Sequence, residues 1–354
     1  MFLIRADGNG KIGAGHLMRC LAVAEALAPA VGRERICFIC ADRESGALAS
    51  EHGFESRILG TDYRDMEAEL PGWEALAEAL REEKEGQASP DVILADSYQV
   101  TDEYLTALGR YGRVALMEDF GTHRYPVDCV INYNAPADQE HYERLYAGKR
   151  TRLLIGSRYV PLRGQFRKPL ACQVREAVRN VLITTGGGDS ENIAGNILER
   201  TIRENICFHL VTGRFNPHFR ELKAWEARCD NVRIYHDVKD MAELMGKCDL
   251  ALTAGGSTIY ELAALGIPFI CFSYAENQEA LTAYIGKREI AGYAGAWHKD
   301  SAGTLNRMEK LFTEFVRSRQ RRQDCSAKEG AMTDGKGSVR LAEALMELGG
   351  MEKV

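Results

Sequence analysis

The chain has 354 residues, 45% hydrophobic and 27% charged, with a formal net charge of −6. That length exceeds one ordinary core and suits two domains, and the acidic balance argues against a general nucleic-acid binder, which shows a basic face. No apolar run approaches the roughly 20 residues that span a bilayer, so no membrane partner is expected.

The first strand, 2–5, runs straight into a polar glycine loop, unlike a signal peptide. Further strands are expected at 35–41, 56–59, 91–95, 113–117 and 128–131, with helices at 16–29, 43–51, 65–86 and 102–109. The second half predicts strands at 180–185, 207–212, 231–235, 248–253 and 267–272. Its helices are expected at 190–204, 217–228, 238–246, 257–265, 276–287, 301–320 and 336–348. Short, continuously apolar runs such as Val92–Ala95 and Val181–Ile183 suit strands buried on both faces of a parallel sheet. Alternation of this kind means doubly wound α/β. It breaks between about 132 and 178, where Pro136, Pro161 and Pro169 fall, and Tyr159–Val174 is the linker candidate. The expected domains are therefore 1–160 and 161–354, with the last helix free to cross back to the first. Each half opens on a strand and a glycine loop; two Rossmann-like halves facing each other leave a cleft.

Ten cysteines are scattered along the chain. Cys37 and Cys40 form a C-x-x-C inside a strand, where they point to opposite faces, and no second pair completes a zinc site. Reduced, buried thiols in a cytoplasmic protein are expected. The basic run Arg317-Ser-Arg-Gln-Arg-Arg322 is expected to be a solvated helix face.

Gly8-Asn-Gly10-Lys-Ile-Gly13 matches G-x-G-x-x-G after a strand. The dinucleotide fingerprint wants an acidic residue about 20 positions on, and Asp42 lies further, which disfavours a nicotinamide enzyme. His16 sits where the loop meets the helix. Alone it would be a helix-start residue bonded to backbone, but Gly13 and Gly15 clear space for a ligand beside the ring. A helix N-terminus disfavours imidazolium, and a neutral imidazole can take a proton from water. Arg5 and Asp7 flank the loop and either pair with each other or leave Asp7 to orient His16.

A second loop, Thr253-Ala-Gly-Gly-Ser-Thr-Ile-Tyr-Glu261, joins a strand to a helix. Ser257 and Thr258 can cap that helix, Gly255 and Gly256 permit close backbone approach, and its N-terminus attracts diphosphate. Glu261, one turn on, is placed to accept from ribose hydroxyls. Glu276-Asn277-Gln278 follows the strand 267–272, well placed for sugar hydroxyls or acetamido groups; capping would explain Asn277 but not Gln278. Asp96-Ser-Tyr98 and Glu118-Asp119 also follow strands, in either structural or chemical roles. There is no D-x-D, no G-x-x-x-x-G-K-[ST], no H-E-x-x-H and no G-x-S-x-G. Phosphate charge would be met by backbone dipoles, without metal or cofactor.

The stretch Arg5-Ala-Asp…Ile12-Gly-Ala-Gly-His-Leu-Met-Arg-Cys-Leu21 resembles the N-terminal signature of the PseG family, the UDP-2,4-diacetamido-2,4,6-trideoxy-β-L-altropyranose hydrolases. The loop Gly255–Thr258 with Glu261, and Glu276-Asn277-Gln278, are similar both to that family's UDP-binding half and to MurG-type glycosyltransferases. The resemblance runs from about 2 to 290. It implies a GT-B fold and cleavage of the sugar C1–O bond of a small-molecule UDP-sugar to UDP and free sugar. It places that step in pseudaminic acid synthesis, which serves flagellin and other surface glycans. It implies His16 as base, with Tyr98 and Asn277 as matching site residues; Asp7, which flanks the loop, is the further catalytic candidate. Gly255, Gly256, Ser257 and Thr258 would hold the diphosphate, Glu261 the ribose, and Asp237 and Val238 the uracil through backbone contacts. Arg5, Gly13, Gly15, Gly187 and Gln278 complete the expected substrate contacts. A single displacement by water at an oxocarbenium-like centre inverts C1. A glycosyltransferase of the same fold, a hydrolase of a related nucleotide sugar and a non-catalytic sensor are the competing readings, and the oligomeric state stays open.

Overall fold

The computed structural model describes residues 1–83, 91–167, 174–186, 188–213 and 216–351. The chain divides into two units, residues 1–164 with 336–354, and residues 165–335.

The first unit contains β1 (Phe2–Ala6), α1 (Gly15–Val31), β2 (Ile36–Cys40), α2 (Arg43–Glu51), β3 (Glu55–Ile58) and α3 (Leu70–Glu83). It continues through β4 (Val92–Asp96), α4 (Asp102–Leu108), β5 (Arg113–Met117), β6 (Cys129–Asn132), α5 (Gln139–Leu145) and β7 (Arg152–Ile155). The seven strands are parallel, in the order β3-β2-β1-β4-β5-β6-β7. Every residue of β1, β2 and β4 is buried, as their continuous apolar runs require. Leu3, Ile39, Ile93, Leu116 and Val130 form the core of one face with Trp73 and Tyr104. The strand order reverses between β1 and β4. The loops leaving these two strands therefore diverge and open a crevice, the usual ligand position in such sheets.

The alternation does not stop at 132. Helix α5 presents only Tyr142 as a fully buried side chain, capped by Asp138, and β7 is a four-residue edge strand. Neither is long enough to show a period in the sequence.

The second unit contains β8 (Asn180–Thr184), α6 (Ile193–Thr201), β9 (Cys207–Thr212), α7 (Phe219–Lys223), α8 (Trp225–Arg228), β10 (Val232–His236) and α9 (Met241–Gly246). It continues through β11 (Leu250–Ala254), α10 (Thr258–Leu265), β12 (Phe269–Ser273), α11 (Glu279–Lys287), β13 (Gly292–Ala296), α12 (Ser301–Arg317) and α13 (Arg319–Gly330). Its six strands are also parallel, in the order β10-β9-β8-β11-β12-β13, and here the order reverses between β8 and β11. Strand β13, Gly-Tyr-Ala-Gly-Ala, has no apolar pattern of its own. It is a strand because Gly292 lies against Ile270 of β12, where a Cβ would come within 2.9 Å.

The single helix expected at 301–320 is two. Ser318 leaves the helical conformation and its side chain accepts from the Arg321 amide to cap α13. The basic run there is only partly a solvated face, because Arg322 is fully buried. Its guanidinium donates to the carbonyls of Phe315 (2.5 Å), Arg175 (2.8 Å) and Glu176 (2.9 Å).

The chain closes with α14 (Gly337–Leu348), which belongs to the first unit and packs on α1. Among the described residues no helix is long and apolar enough to cross a membrane.

Candidate functional site

In the first unit the reversal between β1 and β4 brings the start of α1 against the end of β4. His16 and Arg19, three apart in the first turns of α1, project to one side and meet the last residue of β4, Asp96. His16 Nδ1 lies 2.6 Å from Asp96 Oδ1. Arg19 holds the same carboxylate with both Nε and Nη2, each at 2.5 Å. Arg19 Nη1 continues to Asp119 at 3.0 Å and to the Tyr133 hydroxyl at 2.8 Å. Asp119 also accepts from the Tyr98 hydroxyl (2.7 Å) and from Asn134 (2.9 Å). The Tyr98 ring stands edge-on to His16, 4.5 Å between centroids, and Phe120 packs on Tyr98 at 5.2 Å.

Burial alone would raise the Asp96 carboxyl, but the Arg19 charge and His16 beside it outweigh burial and hold it well below the usual carboxylate range. An ionised carboxylate can only accept, so at this contact His16 Nδ1 is the donor. Among the described residues Nε2 has no hydrogen-bond partner. His16, Asp96 and Tyr98 line a cavity of about 190 Å³ together with Asp7, Ile12 and Gln99. Tyr98 and Phe120 are both exposed, at 44% and 55%. The arrangement is a histidine ring bonded through Nδ1 to a buried carboxylate, beside an aromatic wall.

The carboxylate at His16 is Asp96 and not Asp7. Asp7 Oδ2 accepts from Arg5 at 2.6 Å and its other oxygen from the Ala41 amide at 2.8 Å. Arg5, expected among the substrate contacts, is fully buried. Its remaining donors go to Glu69 (Nε, 2.7 Å), which also accepts from Tyr104 at 2.8 Å. Arg5 is a core ion pair that pins β1 to the segment before α3.

The N-terminal glycine loop does not offer its early amides to a ligand. Asn9 Oδ1 accepts from the Lys11 and Ile12 amides, the Gly13 amide bonds Asn9 O at 2.8 Å, and the Gly8 amide bonds Ser45 Oγ at 3.0 Å. Gly13 has φ +75°, which a β-carbon disfavours. A Cβ on Gly15 would meet nothing within 4 Å, so open space flanks His16 as the sequence suggests.

In the second unit the reversal between β8 and β11 lies at the turn Gly255-Gly256-Ser257. Ser257 stands at the N-cap of α10, yet its side chain makes no capping bond. The amides of Gly256, Ser257 and Thr258 have no partner among the described residues, and they gather at a helix N-terminus. A Cβ on Gly255 would lie 2.4 Å from Thr282 Cγ2, whereas one on Gly256 meets nothing within 4 Å. The first glycine is a packing requirement, and the second leaves open space before the amides. Glu261 is partly buried on the first turn of α10.

Asn277 is exposed. Gln278 is buried, and its Oε1 accepts from the Tyr274 amide at 3.1 Å; closing this turn accounts for the amide that capping did not explain. Asp237 takes a left-handed conformation (φ +51°) and Val238 is partly buried. Gly187 lies outside the described residues.

Arg19, Phe120, Tyr133 and Asn134 were not among the expected site residues, and Asp96 and Asp119 were left between structural and chemical roles. The signals were present: Arg19 is one helical turn from His16, and Asp96 ends the strand next to β1.

Comparison with known proteins gives a match to the glycosyltransferase family 28 C-terminal domain over residues 172–327. The chain is 25% identical to the UDP-2,4-diacetamido-2,4,6-trideoxy-beta-L-altropyranose hydrolase of Campylobacter jejuni, over 81% of this chain and 96% of that protein. It is also 25% identical to an uncharacterized protein of Methanocaldococcus jannaschii, over 78% of this chain but only 56% of that protein's length. Among solved structures, MurG of Acinetobacter baumannii superposes with a TM-score of 0.64 at 13% identity, covering 98% of this chain and 99% of that one. The architecture is GT-B: two Rossmann-like domains with parallel sheets.

Proposed function

We propose that this chain acts on a UDP-sugar, and that it hydrolyses the sugar C1–O bond by direct attack of water. The observation that carries the reading is the Asp96–His16 pair, which leaves His16 Nε2 unpartnered beside a cavity of about 190 Å³. His16 Nε2 takes a proton from water as the water oxygen bonds to C1. The C1–O bond breaks and its electron pair leaves with UDP. In the second unit the amides of Gly256, Ser257 and Thr258 suit the negative charge of a diphosphate without a metal. Glu261 takes the ribose, and the backbone at Asp237 and Val238 takes the uracil. Tyr98 and Phe120 offer a flat apolar wall for the sugar ring.

The substrate we favour is UDP-2,4-diacetamido-2,4,6-trideoxy-β-L-altropyranose, on the similarity to the Campylobacter hydrolase and on the N-terminal signature around His16. The product would then feed pseudaminic acid synthesis. Turnover in ¹⁸O-water tests the chemistry: label is expected in the sugar and not in UDP, with C1 inverted in the first-formed anomer. His16→Ala should keep UDP binding and lose turnover by at least about 10²-fold, the scale of a lost general base. Label in UDP, retention at C1 or an active His16→Ala enzyme would each overturn the mechanism. The family 28 match and the MurG-like fold favour a transferase as second reading; it predicts no UDP release until an acceptor is added.

A further inference from the structure

A cavity of about 460 Å³ lies in the first unit, formed by the segments that lead into β6 and β7. The His16 site is built from segments leaving β1 and β4, so the two share no lining residue. Arg124, Lys149 and Arg150 line it, all three are exposed, and none has an ion pair among the described residues. The two carboxylates in the lining are already engaged. Asp102 contacts His123 at 2.9 Å, and Asp128 accepts from Arg113 (2.8 Å) and from the Val114 amide (2.9 Å). The Tyr125 hydroxyl has no hydrogen-bond partner among the described residues either. Three cations without an ion pair around one concavity outnumber its two carboxylates on a chain of net charge −6, and like charges brought together repel unless an anion joins them.

We infer that this cavity is a second binding site, for a small soluble polyanion such as a phosphorylated or polycarboxylate metabolite. Its volume is that of a small-molecule site, for which roughly 300–1,000 Å³ is usual. Arginine forks suit phosphate and carboxylate oxygens, and the Tyr125 phenol, raised by burial and by Glu118 and Asp102, stays protonated as a donor. An acidic chain repels extended polyanions such as nucleic acid or an anionic membrane, so a compact ligand fits better. The inference is independent of the chemistry proposed for His16.

The test is calorimetric titration with tripolyphosphate at fixed ionic strength, in a Gly256→Ala background that removes the open turn of the second unit as a competing site. Arg124→Ala/Lys149→Ala/Arg150→Ala is expected to weaken one binding event at least tenfold. The control Arg220→Ala/Arg228→Ala/Lys310→Ala removes equal charge from exposed positions of the second unit and should bind as the parent does. Unchanged affinity in the first triple variant, or equal weakening in the control, overturns the site. Binding to phosphatidylglycerol vesicles with none to tripolyphosphate overturns the choice of a soluble ligand.

Discussion

At Asp96 one carboxylate serves two partners, the His16 ring and the Arg19 guanidinium. Asp96→Asn keeps the shape, removes the charge and lets Nδ1 lose its fixed proton. We expect turnover to fall on the order of 10⁴-fold, as when a histidine base loses its orienting carboxylate. We also expect destabilisation of about 3 kcal/mol, because a buried cation loses a partner. The pH dependence follows from the depressed native value. The unfolded carboxyl titrates near 3.9, so the stabilisation from Asp96 is complete above that and is lost only as pH falls through the lower native value. Urea titrations of wild type and variant should differ fully from pH 7 down to about 4 and converge below. Convergence already between pH 6 and 5 would remove Asp96 from this role. Position was legible in the sequence where it sits in local motifs, as at the loop before His16 and the turn at Gly255-Gly256. It was not legible where a carboxylate from one strand meets a helix 77 residues away, as between Arg19 and Asp96. Of the two readings left open for Asp7, the structure shows the pairing with Arg5 and not the contact with His16. Asp7 is near His16 in sequence, but parallel β2 brings the Ala41 amide to it and Arg5 takes the rest.

The turn before α10 separates packing from ligand chemistry within two residues. Gly255→Ala forces a methyl to 2.4 Å from Thr282 and 3.2 Å from the Gln278 Cβ, beside the Phe272 carbonyl at 3.3 Å. The expected cost is about 1–3 kcal/mol of overpacking, read as a lower thermal midpoint. Gly256→Ala adds a methyl in open space at unstrained φ. Its midpoint should stay within a degree or two, while UDP affinity falls at least tenfold because the methyl stands before the free amides. A destabilised Gly256→Ala, or one that binds UDP normally, would show that this glycine serves the fold and not a ligand. At this scale the long buried strands were legible because residues buried on both faces leave an uninterrupted apolar run. Strand β13 and helix α5 were not. The first is specified by close approach to Ile270 rather than by its own side chains, and the second is too short to carry a period.

For the whole molecule the sequence carries the two-domain α/β class, because βα alternation extends over both halves, but it does not carry the membership of the last helix. Helix α14 follows 171 residues of the second unit, 165–335, yet lies in the first. Two features hold it there. Gly337 fits so tightly that a Cβ would lie 2.1 Å from the Val160 carbonyl oxygen, and Leu341 and Leu345 are buried in the first unit. Nothing in an amphipathic helix states which partner takes its apolar stripe, since burial is non-directional. Leu341→Ala therefore tests the assignment. It leaves a cavity at a fully buried site, with an expected cost of about 2–5 kcal/mol. Opening free energies follow the cooperative unit in which a contact lies, so the loss should appear as faster amide exchange in α1, β1 and β4. Amides of β8, β9 and β11 should keep their protection. Faster exchange in β8–β11 with α1 unchanged would assign α14 to the second unit's core.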